Sequence, residues 1–296
     1  MSGTIETVGV IGLGNMGLAM ATRLAARGFA VLGHDIGAPR RQLAAEAGIS
    51  VAEDLAPVLR AADALVFSLP LARDVEAVVT TPGGLLARRD RKVVVIDSST
   101  SDPGTTRRLA RQLALAGHGL LDAPVSGGPS GAAAGTLTMM IGGSGEDYAQ
   151  AGPVLDALSA RAPHVGPSGA GNIVKLVNNL LVAAHLVTTG EAMRLAEAAG
   201  LSADEAIAVV NSATGRSAVS ETMYPRWILP GTFDSGFSAG LMRKDVRLAL
   251  ELVGETGLDL PLSAHVGRLW RDAAIADGDD FTRMADFRTP GETRDV

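Results

Sequence analysis

The run Thr7-Val8-Gly9-Val10-Ile11 followed by Gly12-Leu13-Gly14-Asn15-Met16-Gly17 decides the fold. A short apolar run ending in a glycine turn predicts a buried strand, and the periodic stretch Asn15 to Arg27 predicts the helix it feeds. The three glycines answer three physical needs. Gly12 permits a tight turn, Gly14 lets a pyrophosphate approach the backbone, and Gly17 lets helix and strand pack closely, leaving helix N–H groups facing phosphates. Alone, the pattern also fits an ordinary glycine turn. That alternative leaves Asp35 unexplained: it ends the next predicted strand, near the separation expected for an acid that binds ribose hydroxyls. Gly12, Leu13, Gly14, Asn15, Met16, Gly17 and Asp35 are therefore the expected dinucleotide site. A carboxylate at Asp35 accepts hydrogen bonds from both ribose hydroxyls and repels a 2′-phosphate, which favours NAD over NADP. Arg40 and Arg41 are the reservation, since either could turn toward a phosphate, although such residues on a helix are more often solvated.

Outward from this segment, apolar runs alternate with helical patterns, the signature of βαβ units and a mostly parallel sheet. Strands are predicted at Thr7 to Ile11, Ala30 to His34, Ala64 to Leu69 and Val93 to Asp97. Further ones are expected at Leu120 to Ala123, Thr136 to Ile141 and near Pro163 to Val165. Helices are predicted at Asn15 to Arg27, Arg40 to Ala47 and Thr105 to Ala116, ending at Gly28, Gly48 and Gly117. After Gly166 the pattern becomes helical, so residues 1–166 and 167–296 form the two expected domains, the second all-α. A helix from about Gly171 to Ala199 would join them, with Gly190 weakening its continuity. Ser202 and Glu205 form a capping-box pattern. Leu241 to Gly254 and Leu262 to Ala276 are further helices, and a polar tail with Asp279, Asp280, Thr289, Pro290 and Gly291 is expected to fray.

Composition narrows the function classes. The 296 residues exceed the usual size of one domain, and 47% hydrophobic with 20% charged residues is ordinary for a soluble globular chain. With 36 glycines and only 3% aromatics, Ala, Val, Leu and Gly must fill the core. The 32 acids against 26 bases, a net charge of -6, argue against nucleic acid as a partner. No cysteine is present, which excludes disulfides, thiolate metal sites and cysteine nucleophiles. Met1 to Val10 carries Glu6 and no basic residue, unlike a secretory signal, so a cytoplasmic location is expected. No run of ~18 consecutive apolar residues appears, because Asn178, Asn179 and His185 interrupt the most apolar stretch, so no membrane association is expected.

Oxidising an alcohol with a nicotinamide requires a side chain that accepts the hydroxyl proton or stabilises the alkoxide. Lys175, within Gly169-Ala170-Gly171-Asn172-Ile173-Val174-Lys175-Leu176-Val177-Asn178-Asn179, is the leading candidate. Asn179 lies four residues on, hence on the same helix face. The apolar flanks predict partial burial, which lowers a lysine pKa toward a useful value. A snorkelling lysine is the plainer alternative. Asp97-Ser98-Ser99-Thr100 and Asp122-Ala123-Pro124-Val125-Ser126-Gly127-Gly128 both end strands, as does Leu69-Pro70, and each alone could be an ordinary turn. Ser126 with the N–H groups of Gly127 and Gly128 would nest a substrate carboxylate. The five histidines show no ligand spacing with carboxylates, so neither a metal site nor a histidine base is expected.

These motifs, with Phe237 and Lys244-Asp245, resemble the β-hydroxyacid dehydrogenase family, and the likeness runs nearly end to end. The resemblance implies an N-terminal Rossmann doubly wound sheet, a long connecting helix and a C-terminal all-α domain, with the active site in the cleft between domains. It implies Lys175 as the catalytic lysine, Asn179 as a substrate-orienting amide, and Ser126, Gly127 and Gly128 as the carboxylate cradle. Ser99 or Thr100 would line the nicotinamide edge, while Leu69 and Pro70, by their place at a strand end rather than by the resemblance, would lie at the carboxyl edge of the sheet where the cofactor binds. Lys244 would stand near cofactor and substrate, or be simply a surface charge beside Asp245. Homodimers or homotetramers are implied. A lysine at position 175 disfavours imine reduction. The expected substrate is a small hydroxy acid such as 3-hydroxyisobutyrate, with tartronate semialdehyde reduction or threonate oxidation as alternatives. A non-catalytic dinucleotide-binding module is the rival from another class, and it gives no reason for a lysine, a serine nest and an amide to occur together.

Overall fold

The computed structural model describes residues 4–287, and the chain divides after Lys175 into two compact units. In the first unit β1 (Thr7–Ile11), β2 (Ala30–His34), β3 (Ser50–Val51), β4 (Ala64–Phe67), β5 (Val94–Asp97) and β6 (Gly119–Asp122) run parallel in the order 3-2-1-4-5-6. The connections hold α1 (Asn15–Ala26), α2 (Ala38–Glu46), α3 (Leu55–Ala61), α4 (Ala72–Thr80) and α5 (Pro103–Leu115). This is the Rossmann order, and its switch point lies at the carboxyl ends of β1 and β4, where ligands bind in open α/β sheets. Alternate residues enter opposite layers. Ala64, Val66, Val94 and Ile96 join one core, while Leu65, Phe67, Val93 and Val95 join the other. Burial on both faces explains why these strands appear in the sequence as near-continuous apolar runs.

Beyond β6 come β7 (Val125–Ser126), α6 (Gly128–Ala134), β8 (Leu137–Met139), β9 (Ile141–Gly142), α7 (Gly145–Leu158), β10 (Ser159–Arg161) and β11 (His164–Gly166). β9 pairs antiparallel with β6 and parallel with β11, completing an eight-stranded sheet, while β7, β8 and β10 form a separate three-stranded one. The single strand expected over Thr136 to Ile141 is thus two, broken at Met140. The chain changes sheets there: the Met140 N–H donates to Pro124 O and the Ile141 N–H to Pro163 O, both at 3.0 Å.

His118 is an internal strut of this unit. The Val93 N–H donates to its Nδ1 (3.1 Å), so that nitrogen is bare, and Nε2 donates to Leu85 O (2.9 Å). Burial, the largest influence, pushes its pKa below the ordinary 6.5. Protonation would set a second N–H against Val93 N–H. The unfolded chain therefore takes up a proton below about pH 6.5 that the folded chain refuses, and stability falls as pH drops through that value. Urea unfolding at pH 7.5 and pH 5.5 should show a larger loss for the wild type than for His118→Gln. Equal losses in the two proteins would remove the histidine from the pH dependence.

Helix α8 (Ala170–Ala198) carries the chain from the first unit into the second, followed by α9 (Ala203–Ser212), a π-helical segment Val219–Ile228, α10 (Ala239–Thr256), α11 (Pro261–Asp272) and a 3₁₀ turn Phe281–Asp286. α8 is continuous through Gly190, where a Cβ would lie 2.2 Å from Ala285 O, so the glycine serves close packing rather than a break. Ser202 caps α9, accepting the Glu205 N–H at 3.3 Å and donating its hydroxyl to the Glu205 carboxylate at 2.9 Å. The core gathers Leu186, Ile207, Val219, Met242, Val246 and Trp270, whose indole N–H donates to Ala183 O at 3.1 Å. One expectation needs correction. Asp279 and Asp280 do not fray: Asp279 O accepts the Ala239 N–H (2.8 Å), and the Asp280 carboxylate holds Ser235 Oγ (2.6 Å) and Thr282 N–H (3.0 Å). Thr289, Pro290 and Gly291 lie outside the described residues. By length and composition α8 is also apolar enough to cross a membrane, although no unbroken apolar run announces it. Asn172, Lys175 and Asn179 on it are nonetheless buried.

Candidate active site

At the end of β1 the backbone turns at Gly12 with φ 89°, where a Cβ would lie 2.3 Å from Ser68 O. A Cβ on Gly17 would lie 1.8 Å from Gly12 O, so α1 can start against this turn only without a side chain there. Gly14 differs. A Cβ there meets nothing within 4 Å, and α1 begins at Gly14 with no side-chain cap. An open cradle at an uncapped helix N-terminus beside the sheet's switch point fits a dinucleotide pyrophosphate. Leu13 is fully buried, Met16 half-buried, and Asn15 is exposed and accepts a hydrogen bond from Arg40 (3.1 Å).

Asp35 follows β2, and its two carboxylate oxygens accept the Leu13 N–H (2.8 Å) and the Gly37 N–H (2.7 Å). The acid is thereby tied to the glycine turn, with lone pairs left for ribose hydroxyls. Arg41 donates to the carbonyls of Asp35 (2.7 Å) and Ile36 (3.1 Å). Further along the edge the Leu69 N–H donates to Ser99 Oγ (3.0 Å), which joins the ends of β4 and β5. Pro70 is exposed beside this pair, and Thr100 is half-buried.

Lys175 is 8% exposed, and its Nζ donates to Val125 O at 2.8 Å. The first unit therefore brings the predicted catalytic ammonium to the residue before Ser126, in the predicted carboxylate cradle. Ser126 pairs with Thr138 across β7 and β8. Gly127 and Gly128 follow with φ 128° and 64°, at the start of α6. The snorkelling alternative fails for Lys175, because its side chain ends at a protein carbonyl and is buried.

Sequence reasoning passed over three buried polar residues, Asp122 and Asn172 in the first unit and Asp245 in the second. Asp122, at the end of β6, is fully buried and accepts the Gly169 N–H (2.8 Å) and the Asn172 N–H (2.9 Å). Burial raises its pKa, opposed by these backbone bonds. Asn172, also fully buried, accepts the Ser101 N–H and donates to Thr106 Oγ1, both at 3.0 Å. In the second unit Asn179 donates to Asp245 Oδ2 (2.6 Å) and accepts from Asn178 (3.0 Å). Lys244 Nζ lies 3.3 Å from Asp245 Oδ1, with its side chain 13% exposed and that of Asp245 2%. Lys244 is thus not a surface charge. All three belong to the motifs Asp122 to Gly128, Gly169 to Asn179 and Lys244-Asp245, but burial away from local partners is what marks them, and the sequence does not show burial.

Comparison with known proteins assigns the chain. Residues 7–166 match the family described as the NAD binding domain of 6-phosphogluconate dehydrogenase. Residues 169–287 match that described as the NAD-binding region of NADP-dependent 3-hydroxyisobutyrate dehydrogenase. The protein is a member of the β-hydroxyacid dehydrogenase family. Membership brings NAD(P)-dependent oxidoreductase activity on a hydroxy acid. Among relatives, 2-(hydroxymethyl)glutarate dehydrogenase of Eubacterium barkeri is 37% identical, covering 89% of this chain and 87% of that protein. NAD-dependent L-serine dehydrogenase of Pseudomonas aeruginosa is 34% identical over 90% of this chain and 92% of its own. A structure of Mycobacterium tuberculosis 3-hydroxyisobutyrate dehydrogenase with L-serine superposes with TM-score 0.87 at 34% identity, covering 96% of this chain and 99% of that one.

Proposed function

We propose that this protein oxidises the primary hydroxyl of a small carboxylate bearing a hydroxymethyl group beside the carboxyl, with NAD as the preferred acceptor and Lys175 as the acid-base group. The observation that carries the proposal is the buried Lys175 ammonium, bonded to Val125 O beside Ser126. The substrates named for the three relatives share this chemistry: 3-hydroxyisobutyrate, L-serine and 2-(hydroxymethyl)glutarate each carry a CH2OH on the carbon next to a carboxylate. The bound nicotinamide supplies the hydride acceptor. Lys175, as the neutral amine, takes the hydroxyl proton while still donating an N–H to Val125 O, and in the reverse direction returns it. Ser126 and the N–H groups of Gly127 and Gly128 hold the carboxylate. Asn179, one helical turn beyond Lys175 and held by Asp245, orients the substrate hydroxyl. Leu69, Pro70, Ser99 and Thr100 line the nicotinamide side.

What supports NAD is Asp35, tied to the glycine turn through the Leu13 N–H, since a carboxylate that binds the ribose hydroxyls would repel a 2′-phosphate. Arg41 is already engaged by two carbonyls. Initial rates on 3-hydroxyisobutyrate, L-serine, 2-(hydroxymethyl)glutarate, glycerate and threonate, each with NAD and with NADP, test both statements. The hydroxymethyl acids should give the largest kcat/KM, and NAD should exceed NADP by about tenfold, roughly 1.4 kcal/mol. A tenfold preference for NADP would transfer the adenosine contact to Arg40 and Arg41. NAD binding without turnover on any hydroxy acid would favour a binding module instead.

A further inference from the structure

The first turn of α8 is fastened to the sheet in a way the proposed chemistry does not by itself require. Asp122 Oδ1 and Oδ2, at the end of β6, accept the N–H groups of Gly169 and Asn172 at 2.8 and 2.9 Å, so a buried carboxylate from another element caps the helix start. The fit is backbone against backbone: a Cβ on Gly171 would lie 2.2 Å from Met140 O and 2.6 Å from Asp122 O. Asn172 then reaches the next strand end. Its Oδ1 accepts the Ser101 N–H and its Nδ2 donates to Thr106 Oγ1, both at 3.0 Å, which fixes the loop directly after Ser99 and Thr100. Lys175 lies three residues after Asn172, tied in turn to Val125 O. One buried network therefore joins the predicted nicotinamide edge, the helix bearing the lysine and the carboxylate cradle, all within the first unit.

We propose that Asp122 and Asn172 are positioning residues that hold Lys175 in register with the loop Ser98 to Ser101. This rests on Lys175 being the acid-base group. Proton and hydride must leave one carbon–oxygen pair together, so displacement of the ammonium by about 1 Å from the loop that faces the nicotinamide costs on the order of a hundredfold in rate. Neither residue needs to touch substrate. Both act through Lys175.

A double-mutant cycle in the full-length protein separates this from mere support of the fold. Single-turnover reduction of NAD is measured with saturating 3-hydroxyisobutyrate, or the best hydroxymethyl acid of the panel, for wild type, Asn172→Ala, Lys175→Ala and the double variant. Cofactor affinity and melting temperature are followed in parallel. Asn172→Ala should slow reduction by about tenfold to a hundredfold with NAD affinity within about twofold, and should add nothing to the Lys175→Ala background. An equal loss in both backgrounds, or no loss in the wild-type background, overturns the proposal. Asp122→Asn, which keeps the shape but replaces one acceptor by a donor, serves if Asn172→Ala does not fold, and is judged in the same way. If Lys175→Ala alone leaves the rate near wild type, the acid-base assignment fails first, and the cycle shows which of the two was wrong.

Discussion

Lys175→Ala is expected to lower turnover by about 10² to 10⁴, the range for a lost acid-base group, while NAD affinity changes little. The two halves of this expectation come from different places in the first unit. The adenosine and pyrophosphate are assigned to Gly12, Gly14, Gly17 and Asp35, on β1, α1 and β2, whereas Lys175 lies on α8 and touches Val125 O. Arginine should not rescue the activity. A guanidinium keeps its proton throughout the accessible pH range, so it can stabilise an alkoxide but cannot accept the hydroxyl proton. Lys175→Arg thus distinguishes proton transfer from electrostatic stabilisation, since a purely electrostatic lysine would leave it partly active. Turnover at saturating substrate and cofactor affinity by fluorescence check both variants. If Lys175→Ala keeps more than about a tenth of wild-type turnover with chemistry rate-limiting, the lysine is not the base.

The elements legible in the sequence were those whose signal is local and long. β1, α1 and β2 follow from an apolar run, a glycine turn and a helical period, and lie within one residue of their predicted bounds. α8 was legible for the same reason, and Gly190 was misjudged because its partner, Ala285 O, is 95 residues away in sequence and makes no local pattern. β3, β7 and β10 have two or three residues each, too few for a period of two to register. The break at Met140 depends on which strand each flanking residue pairs with, a nonlocal choice.

Legibility of the site divides on the same line. Lys175 stood out as a cation in an apolar helix, and Ser126 as part of a turn with two glycines. Asp122 and Asn172 belong to the same motifs but act through partners 47 to 71 residues distant, so their chemistry becomes visible only when β5, β6 and α8 are brought together. Asp245 is similar. Next to Lys244 it reads as a surface pair, whereas the fold buries it and spends one oxygen on Asn179.

Two glycines of the turn after β1 should respond differently to the same added methyl group, and the difference locates the pyrophosphate. At Gly17 the new Cβ would lie 1.8 Å from Gly12 O, far inside contact distance, so α1 must move off the turn. Gly17→Ala is therefore expected to lower stability by about 1–3 kcal/mol, the usual range for overpacking, and to weaken NAD binding because the helix N–H groups move with it. At Gly14 nothing lies within 4 Å of the added Cβ, and the residue's φ of -63° suits alanine. Gly14→Ala should fold as the wild type does, with an unchanged melting temperature. Its methyl group nevertheless occupies the space assigned to the pyrophosphate, so Kd for NAD should rise by about tenfold to a hundredfold, roughly 1.4 to 2.7 kcal/mol. Thermal melts without cofactor and NADH fluorescence titrations on both variants give the two quantities separately. Wild-type affinity in Gly14→Ala would mean that the phosphates do not approach the backbone at Gly14, and would sink the cofactor placement whatever Gly17→Ala does.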